Sequence, residues 1–370
     1  MRNDWKEIRL GDFVTLQRGH DLPETQRKPG VIPILGSFGI TGMHDTAVAK
    51  GPGVTVGRSG ASFGVVSYSP VDFWPLNTAL YVTDFHGNDA RFAYYLLKSI
   101  DFTRYNSGSA QPSLNRNFIH PIEIRVPDVA EQLEIVALLG ALDDKIGLNW
   151  RMNETLEAIA RATFGLQMEG VDTFQEGKFS RIATISRDSI DPSASPTEVF
   201  DHYSIPAYDE KRLPVIERGA NIKSNKFIVH ANSVLLSKLN PRIPRIWMPN
   251  VGVERRSICS TEFLVLRPTE ISSREFIYGF CSSPEFQDRF ATMVTGTSGS
   301  HQRVQPDYIE QMEIRLRPVH LVRKYSETVA PLHERYANNL SEARTLAVLR
   351  DALLPNLISG KLRIGAKEGF

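Results

Sequence analysis

The chain has 370 residues, of which 41% are hydrophobic and 23% charged, and its formal net charge is +1. A near-zero balance neither suggests nor excludes a nucleic-acid partner, because acids elsewhere can mask a basic patch. Cys259 and Cys281 stand at no metal-ligand spacing, the polar N-terminus lacks a signal peptide, and no stretch carries the apolar run of about 18 residues that a membrane span needs. We expect a reduced, cytoplasmic protein of two or three domains that does not contact a membrane.

The first half of the chain is predicted to be rich in strands. It opens with a short strand and turn at Trp5–Leu16, and residues 31–83 carry the glycine and β-branched side chains of short strands with tight turns. A surface helix is expected at Asp89–Ser99. A Gly/Ser-rich loop then leads into the strand Ile122–Pro127, whose proline suits the start of a long helix.

The same order of elements recurs in the second half. Trp5–Leu16 aligns with Phe174–Ile185 at a shift of 169, and the long helix aligns with a second one at a shift of 190. The helix at Asp89–Ser99 aligns with Arg274–Ser283, whereas the middle segments 31–83 and 201–267 diverge. We interpret the chain as a tandem duplication in which the order of the elements was kept and the sequences of the middle segments diverged.

Two long helices, Asp128–Phe164 and Pro318–Leu354, are predicted to pair. Their apolar residues follow the alternating steps of three and four of a heptad seam, and each helix is roughly 50 Å long. Duplicated halves favour an antiparallel arrangement, with Asn149 near Asn339 at the crossing point; two half-exposed asparagines without a joint role are the alternative. The residues expected to pair are Leu139, Leu142, Ile146, Asn149, Leu156, Leu332, Tyr336, Asn339 and Leu346.

These elements predict an α+β fold, in which two β-rich globular domains are separated by a pair of long antiparallel helices. The expected boundaries are 1–127 for the first domain, 128–164 for the central helix, 165–171 for a linker, 172–318 for the second domain, 319–354 for the second long helix and 355–370 for a tail.

Catalysis is not supported by the sequence. The glycine-rich segment Gly53–Gly64 lacks the spacing of a phosphate-binding loop, and the chain contains neither a GxSxG nor an HExxH motif. Leu239–Pro244 has one proline after its asparagine, where an adenine methyltransferase would need two and then an aromatic residue. We therefore expect a protein that is not an enzyme and that binds neither a cofactor nor a metal itself.

Basic residues suggest a nucleic-acid partner. Ten lysines and arginines lie between Lys211 and Arg256, opposed only by Glu217 and Glu254, a local balance of 10 − 2 = +8. Such a concentration suits phosphate contacts, although a solvated face without a ligand has the same composition. Including polar loop residues that can reach base edges, the candidate DNA-binding residues are Arg58, Ser59, Gln111, Asn115, Lys211, Arg212, Lys223, Lys226, Lys238, Arg242, Arg245, His301, Gln302 and Arg303.

Several segments, in this order, resemble the DNA specificity subunit of type I restriction–modification systems. They cover nearly the whole chain, although VHLVRKYSETV at the start of the second long helix replaces the Glu131-Gln132 start of the first. The segments are WKEIRLGDF, GSAQPSLN, IEIRVP, EQLEIVALLGALDDKI, YSIPAYDE, GSHQRVQPDYI and LLPNLISGKLRI.

The resemblance implies a non-catalytic subunit whose two target recognition domains each bind one half of a split double-stranded DNA sequence. The paired helices would set the spacer between the halves and dock two modification subunits. Those subunits would bind S-adenosylmethionine and methylate adenine, and restriction subunits that use ATP and magnesium could join. A methylation-only system and a scaffold that binds protein instead of DNA are the alternatives.

Overall fold

The computed structural model describes residues 5–106, 113–169, 173–295 and 302–364. The first half contains the strands β1 Lys6–Arg9, β2 Thr15–Arg18, β3 Ile32–Gly36, β4 Gly39–His44, β5 Gly53–Gly57, β6 Val66–Ser69, β7 Trp74–Pro75, β8 Ala79–Asp84 and β9 Glu123–Val126. Its helices are α1 Leu10–Phe13, α2 Ala90–Ser99, α3 Arg116–Ile119 and α4 Val129–Phe164, and a π-helical turn follows at Gly165–Glu169.

Within the described ranges, the second half has more strands than the first. They are β10 Gln175–Lys178, β11 Ala183–Ser186, β12 Ser189–Ile190, β13 Val199–Tyr203, β14 Val215–Arg218, β15 Lys226–Ile228, β16 Val234–Ser237, β17 Ile246–Trp247, β18 Arg256–Cys259, β19 Phe263–Pro268, β20 Val294–Thr295, β21 Arg303–Val304 and β22 Glu313–Leu316. Its helices are α5 Ile205–Lys211, α6 Arg274–Ser282, α7 Pro284–Thr292, α8 Pro306–Glu310 and α9 Val319–Ile358.

Two compact units divide the chain. The first comprises the residues up to Gly147 and those from Ala343 onwards, and the second comprises Leu148–Glu342, so each unit includes part of α4 and part of α9. Both units combine mostly antiparallel sheets with helices, which confirms the predicted α+β class. Among the described residues, no helix has the length and apolar composition required to span a membrane.

The first unit is built around the four-stranded sheet β2-β8-β5-β6. Its inward side chains pack with α2, whose Phe92 and Tyr95 are completely buried. Leu139 of α4 and Leu357 of α9 join the same core. The helix α9 extends through Ile358. Buried residues therefore continue into the segment that was predicted as a tail.

The second unit repeats this sheet as β11-β19-β16-β17 and adds a five-stranded sheet, β12-β15-β18-β13-β14. Its main core gathers side chains from α4, α6, α7 and α9 around Phe179, Phe276 and Tyr325. Met168 is also buried there, because the helical path continues as a π-helical turn into the segment predicted as a linker.

The duplication is confirmed by the registers of the strands. Ile8 of β1 faces Ile124 of β9, and at shifts of 169 and 190 Gly177 of β10 faces Ile314 of β22. The helices α2 and α6 also begin alike. Asp89 accepts a 2.8 Å hydrogen bond from the amide of Phe92, and at the same position of α6 Ser273 accepts one of 3.0 Å from the amide of Phe276.

The helices α4 and α9 run antiparallel within each unit. In the first unit, Asp143 binds Arg350 through a 2.6 Å ion pair. In the second, successively later α4 residues meet successively earlier α9 residues: Asn149 donates to Glu342, Asn153 donates to the carbonyl of Tyr336, and the ring of Phe164 packs edge-on against Tyr325.

The residues predicted to pair the helices are all at least partly shielded from solvent. Leu139, Asn149 and Asn339 are buried, and the others are half-buried. Each of the two asparagines bonds a different residue of the opposite helix: Asn339 donates to Asn153 at 2.9 Å, and Asn149 donates to Glu342. The asparagine pair therefore forms one helical turn from the predicted position, because the heptad pattern does not encode the axial offset of the two helices.

Candidate nucleic-acid interface

The loops that leave β5 and β16 are equivalent although their sequences differ. After β5, the amide of Gly57 donates a 2.7 Å hydrogen bond to the carbonyl of Val65. After β16, the amide of Ser237 donates one of 2.9 Å to the carbonyl of Arg245. Both pairs enclose the same number of residues, so RSGASFGV and KLNPRIPR occupy matching places in the two units.

A left-handed residue shapes each of these loops. Gly60 has φ +77° and Asn240 has φ +48°, and each stands third in its loop. Glycine adopts this conformation without a steric penalty, and asparagine tolerates it better than most residues. The same backbone turn follows in both loops, since Phe63 donates to the carbonyl of Gly60 and Ile243 to that of Asn240.

Two further segments close each loop from its sides. The first unit has backbone hydrogen bonds from Arg58 to Thr78 (2.8 Å) and from Leu114 to Arg58 (2.8 Å). The second has the matching bonds from Lys238 to Glu262 (2.9 Å) and from Val304 to Lys238 (3.0 Å). We call the residues at these positions the first loop edge (Arg58, Ser59, Thr78 and Ser113) and the second loop edge (Lys238, Leu239, Glu262 and Arg303).

The first loop edge borders an open polar groove of about 600 Å³. Three arginines, Arg18, Arg58 and Arg116, line this groove, and Asp21 is the carboxylate among its lining residues. The guanidinium of Arg58 is held by a 3.3 Å hydrogen bond to the carbonyl of Asn77. The other lining residues are Gln17, Gly19, His20, Leu80, Ser113, Leu114 and Asn115. A concave cationic surface of this kind suits a phosphate backbone.

The second loop edge carries a charge pair. The Nε atom of Arg303 lies 3.0 and 3.1 Å from the two oxygens of Glu262, and its Nη2 lies 2.9 Å from Oε1. This contact, led by the hydrogen bond from Arg303 to Glu262, raises the pKa of Arg303. In the adjoining loop, Arg242 and Ile243 are exposed, so the second edge offers both an unburied cation and an apolar side chain.

The structure brings several of the sequence candidates together. Arg58, Ser59 and Asn115 meet at the first loop edge and its groove, and Lys238, Arg242, Gln302 and Arg303 meet at the second. The amide of Asn240 donates to the carbonyl of Gln302, which fixes that segment beside the loop. Gln111 and His301 lie outside the described residues.

The basic segment 211–256 is less cationic than its sequence indicated. Arg212 pairs with Glu157, Arg245 with Asp209, Arg255 with Asp201 and Arg256 with Glu198. Each of these acids lies outside the segment, so a charge count along the chain missed all of them. Lys226 is buried and donates to Ser224, whereas Lys211 and Lys223 are exposed.

Sequence reasoning also missed residues that the fold places at these edges. Arg18 and Arg116 lie far from Arg58 in the chain and meet it only across the sheet and the loop before α3. Glu262 stands just before β19, and nothing near it in the chain suggests a partner. A signal for the loops existed, since apolar residues at Val54 and Val56 recur 180 residues later at Val234 and Leu236.

No acidic, histidine or cysteine cluster in the described part of the chain has the arrangement of a metal site. Burial raises the pKa of both thiols, Cys259 and Cys281, which makes them poor nucleophiles.

Comparison with known proteins gives a consistent result. The family model of the type I restriction modification DNA specificity domain matches residues 2–158. The specificity subunit of the type I restriction enzyme MjaIX from Methanocaldococcus jannaschii is 23% identical over 308 residues, which are 74% of this chain and 69% of that protein. The EcoprrI specificity subunit from Escherichia coli is 27% identical over 143 residues, or 37% of this chain and 36% of that protein.

A solved structure shares the fold. The crystal structure of the type I restriction–modification S subunit from M. genitalium covers 96% of this chain and 97% of its own, with a TM-score of 0.64 and 15% identity. By the matched domain model and the relatives named above, this chain is similar to the specificity subunits of type I restriction–modification systems.

Proposed function

We propose that this chain is the non-catalytic subunit that selects the DNA sequence for a type I restriction–modification complex. The domains 1–127 and 172–318 each bind one half of a bipartite duplex target. The observation that carries the proposal is the repetition of one loop edge in both units with different side chains. A shared backbone frame with Arg58, Thr78 and Ser113 in one copy, and Lys238, Glu262 and Arg303 in the other, suits two different half-sites.

The chemistry of the first edge favours the major groove of a duplex. Arginines bind phosphates through charge and guanine through paired hydrogen bonds, while serine and asparagine reach other base edges. Arg18 and Arg116 flank the groove and serve as phosphate contacts, whereas Arg58 follows β5 directly and its backbone is fixed on both sides. Fixed backbone positions suit base contacts because little ordering is needed on binding.

The helices 128–164 and 319–354 set the separation of the half-sites and dock two modification subunits. Apolar side chains remain exposed along both helices, and a contiguous group of such side chains would form a surface for partners. They are Leu133, Leu138, Leu148, Ile159, Val348 and Leu349. The modification subunits bind S-adenosylmethionine and methylate adenine, and restriction subunits supply hydrolysis of ATP with magnesium, so the chemistry of the complex lies on its partner chains.

Mapping of methylated adenines in cells tests this proposal. Cells that carry the chain together with its modification subunits should show a bipartite motif that disappears when the chain is deleted. If Arg58 contacts a base, Arg58→Ala should change one half of the motif and leave the other half intact. If Arg58 contacts a phosphate, the variant should lower methylation at every site without changing the motif.

Lys50→Ala is the matched control. Lys50 is 91% exposed and precedes β5, whereas Arg58 follows it, so the two cations lie at opposite ends of one strand. This variant should leave the motif and the methylation level unchanged. A scaffold that binds only protein would show no salt-dependent binding of the complex to duplex DNA and no motif.

A further inference from the structure

The ion pair between Arg303 and Glu262 has no counterpart in the first loop edge. At the matching positions, Ser113 replaces Arg303 and Thr78 replaces Glu262, although the backbone hydrogen bonds around them are the same. The frame therefore folds without a carboxylate at this position. The pair is therefore one of the side-chain differences between the two copies, and such differences are where the two half-sites would be distinguished.

The pair is placed at the surface of the edge. The side chain of Arg303 is 38% exposed and that of Glu262 is 25% exposed, so neither is sealed in the core. Next to DNA, a carboxylate repels phosphates and cancels the attraction of its arginine. A neutral pair at this position gains little from the sugar–phosphate backbone, and base edges are the surface where both of its members can be satisfied.

Base pairs differ in what they offer such a couple in the major groove. Guanine presents two acceptors, O6 and N7, which match arginine, and cytosine presents the N4 amino donor, which matches a carboxylate. A G·C pair thus satisfies both members, whereas an A·T pair places the thymine methyl and O4 near one of them. The carboxylate also restricts the guanidinium plane through its contacts with Nε and Nη2.

We propose that Glu262 is a specificity-determining residue, which together with Arg303 reads one G·C base pair in the half-site bound by the second domain. Arg303 donates to guanine and Glu262 accepts from cytosine N4. The inference rests on the proposed function. Within that function, it specifies which two residues contact the base pair and which base pair they select.

The test uses the chain in its complex with the modification subunits, with methylated-adenine mapping and competition binding to duplex oligonucleotides. The variants are Glu262→Thr, which installs the residue of the first edge, Glu262→Gln, which keeps the shape, and Arg303→Ala.

The wild-type motif should hold a fixed G·C pair in the half-site that Lys238→Ala also affects. Each variant should reduce discrimination at that one position about tenfold, a factor that lies within the range of a good bidentate contact. The other half-site should not change.

The double variant Glu262→Gln/Arg303→Ala should lose no more discrimination than Arg303→Ala alone, because the two residues act as a unit. Glu198→Gln is the matched control. Glu198 is 30% exposed and pairs with Arg256 of β18, which belongs to the five-stranded sheet and not to the four-stranded sheet that leads into the second loop edge. That variant should keep the full motif.

Three results would overturn the inference. One is an unchanged motif in Glu262→Gln with a lower unfolding midpoint, which would make the pair structural. Another is weaker methylation at all sites without altered preference, which would assign Arg303 to a phosphate. A third is a wild-type half-site without a fixed G·C pair at the affected position. Failure of the proposed function is distinct, since the wild-type complex would then yield no motif that depends on this chain.

Discussion

Asn339 on α9 donates a 2.9 Å hydrogen bond to the side-chain oxygen of Asn153 on α4. Both residues are buried, with Asn339 1% exposed and Asn153 3% exposed. Asn153 in turn donates to the carbonyl of Tyr336 at 3.2 Å. Among the described residues, the side-chain oxygens of Asn149 and Asn339 have no hydrogen-bond partner. Buried polar groups of this kind fix the register of paired helices at a cost in stability.

Breaking this pair from one side should therefore destabilise the chain more than removing it entirely. Asn339→Leu leaves the oxygen of Asn153 unpaired in the interior, which costs about 1–3 kcal/mol of unfolding free energy, whereas Asn153→Leu/Asn339→Leu should recover most of that loss. Urea unfolding of the four members of the double-mutant cycle measures the coupling. Asn338→Leu changes an exposed neighbour and is the control. Additive losses would contradict the role of the pair.

Asp143 joins three helices of the first unit, and its removal should be costly. Its two oxygens accept 2.6 Å hydrogen bonds from the hydroxyl of Tyr95 on α2 and from Arg350 on α9. Burial, and then the bond to Asp143, raises the pKa of Tyr95, so the hydroxyl stays a donor. Asp143→Ala leaves a mostly buried arginine without this partner and should cost about 3 kcal/mol in urea unfolding.

The neighbouring Asp144 provides the control for that prediction. Asp144 pairs with Arg91 at 2.7 Å, but its side chain is 70% exposed. Exposed ion pairs contribute little, so Asp144→Ala should cost less than about 1 kcal/mol. Similar losses from both variants would mean that the lower exposure of Asp143, 20% against 70% for Asp144, confers no special stability.

His333 should make the stability of the second unit depend on pH. Burial, assisted by the charge of Arg274 and opposed by Glu275 and Glu157, lowers its pKa from 6.5 to about 4. Its ring packs edge-on against Tyr278, with centroids 5.3 Å apart. The unfolded chain binds a proton near pH 6.5 and the folded chain only near pH 4, so the stabilisation is complete above 6.5 and is lost as the pH falls from 6.5 to 4.

The expected loss over that range is about 3 kcal/mol, since one pKa unit corresponds to about 1.4 kcal/mol. His333→Phe keeps an aromatic ring beside Tyr278 and should remove this component of the pH dependence, as measured by urea unfolding between pH 4 and 7. Leu332→Met alters the adjacent residue without adding or removing a titratable group, and should retain the wild-type slope. An unchanged slope in His333→Phe would show that other groups account for the acid sensitivity.

The sequence predicted the repeated order of helices and strands better than the side-chain contacts between them. Phe92 and Phe276 could be aligned because both follow a helix start, and local patterns of that kind are written in the chain. The partner of Asn339 could not be predicted, because a heptad seam fixes which face is buried and leaves the axial offset open. Arg212 and Arg245 looked cationic because their partners, Glu157 and Asp209, precede the segment in which charges were counted.

The equivalence of the two loop edges was also hidden. Their shared property is a backbone angle and a set of main-chain hydrogen bonds, which many sequences satisfy. Thr78 and Glu262 therefore occupy one position of the frame without any chemical likeness. Pattern matching compares side chains, and these are the part of a recognition loop that diverges.

The left-handed position in each loop gives a reciprocal prediction. A Cβ atom added at Gly60 meets no atom within 4 Å, so only the angle of φ +77° restricts the residue there. Gly60→Asn and Asn240→Gly should each change the unfolding free energy by less than about 1 kcal/mol, because both residue types tolerate this conformation.

Gly60→Val and Asn240→Val should each cost about 1–3 kcal/mol, because a β-branched residue is strained at positive φ. Since the strain falls in one loop only, methylated-adenine mapping should show weaker selection in one half-site for Gly60→Val and in the other for Asn240→Val. Ala61→Val supplies the control, because Ala61 follows Gly60 and is exposed. If both left-handed variants impaired the same half-site, the two loops would not serve separate halves of the target.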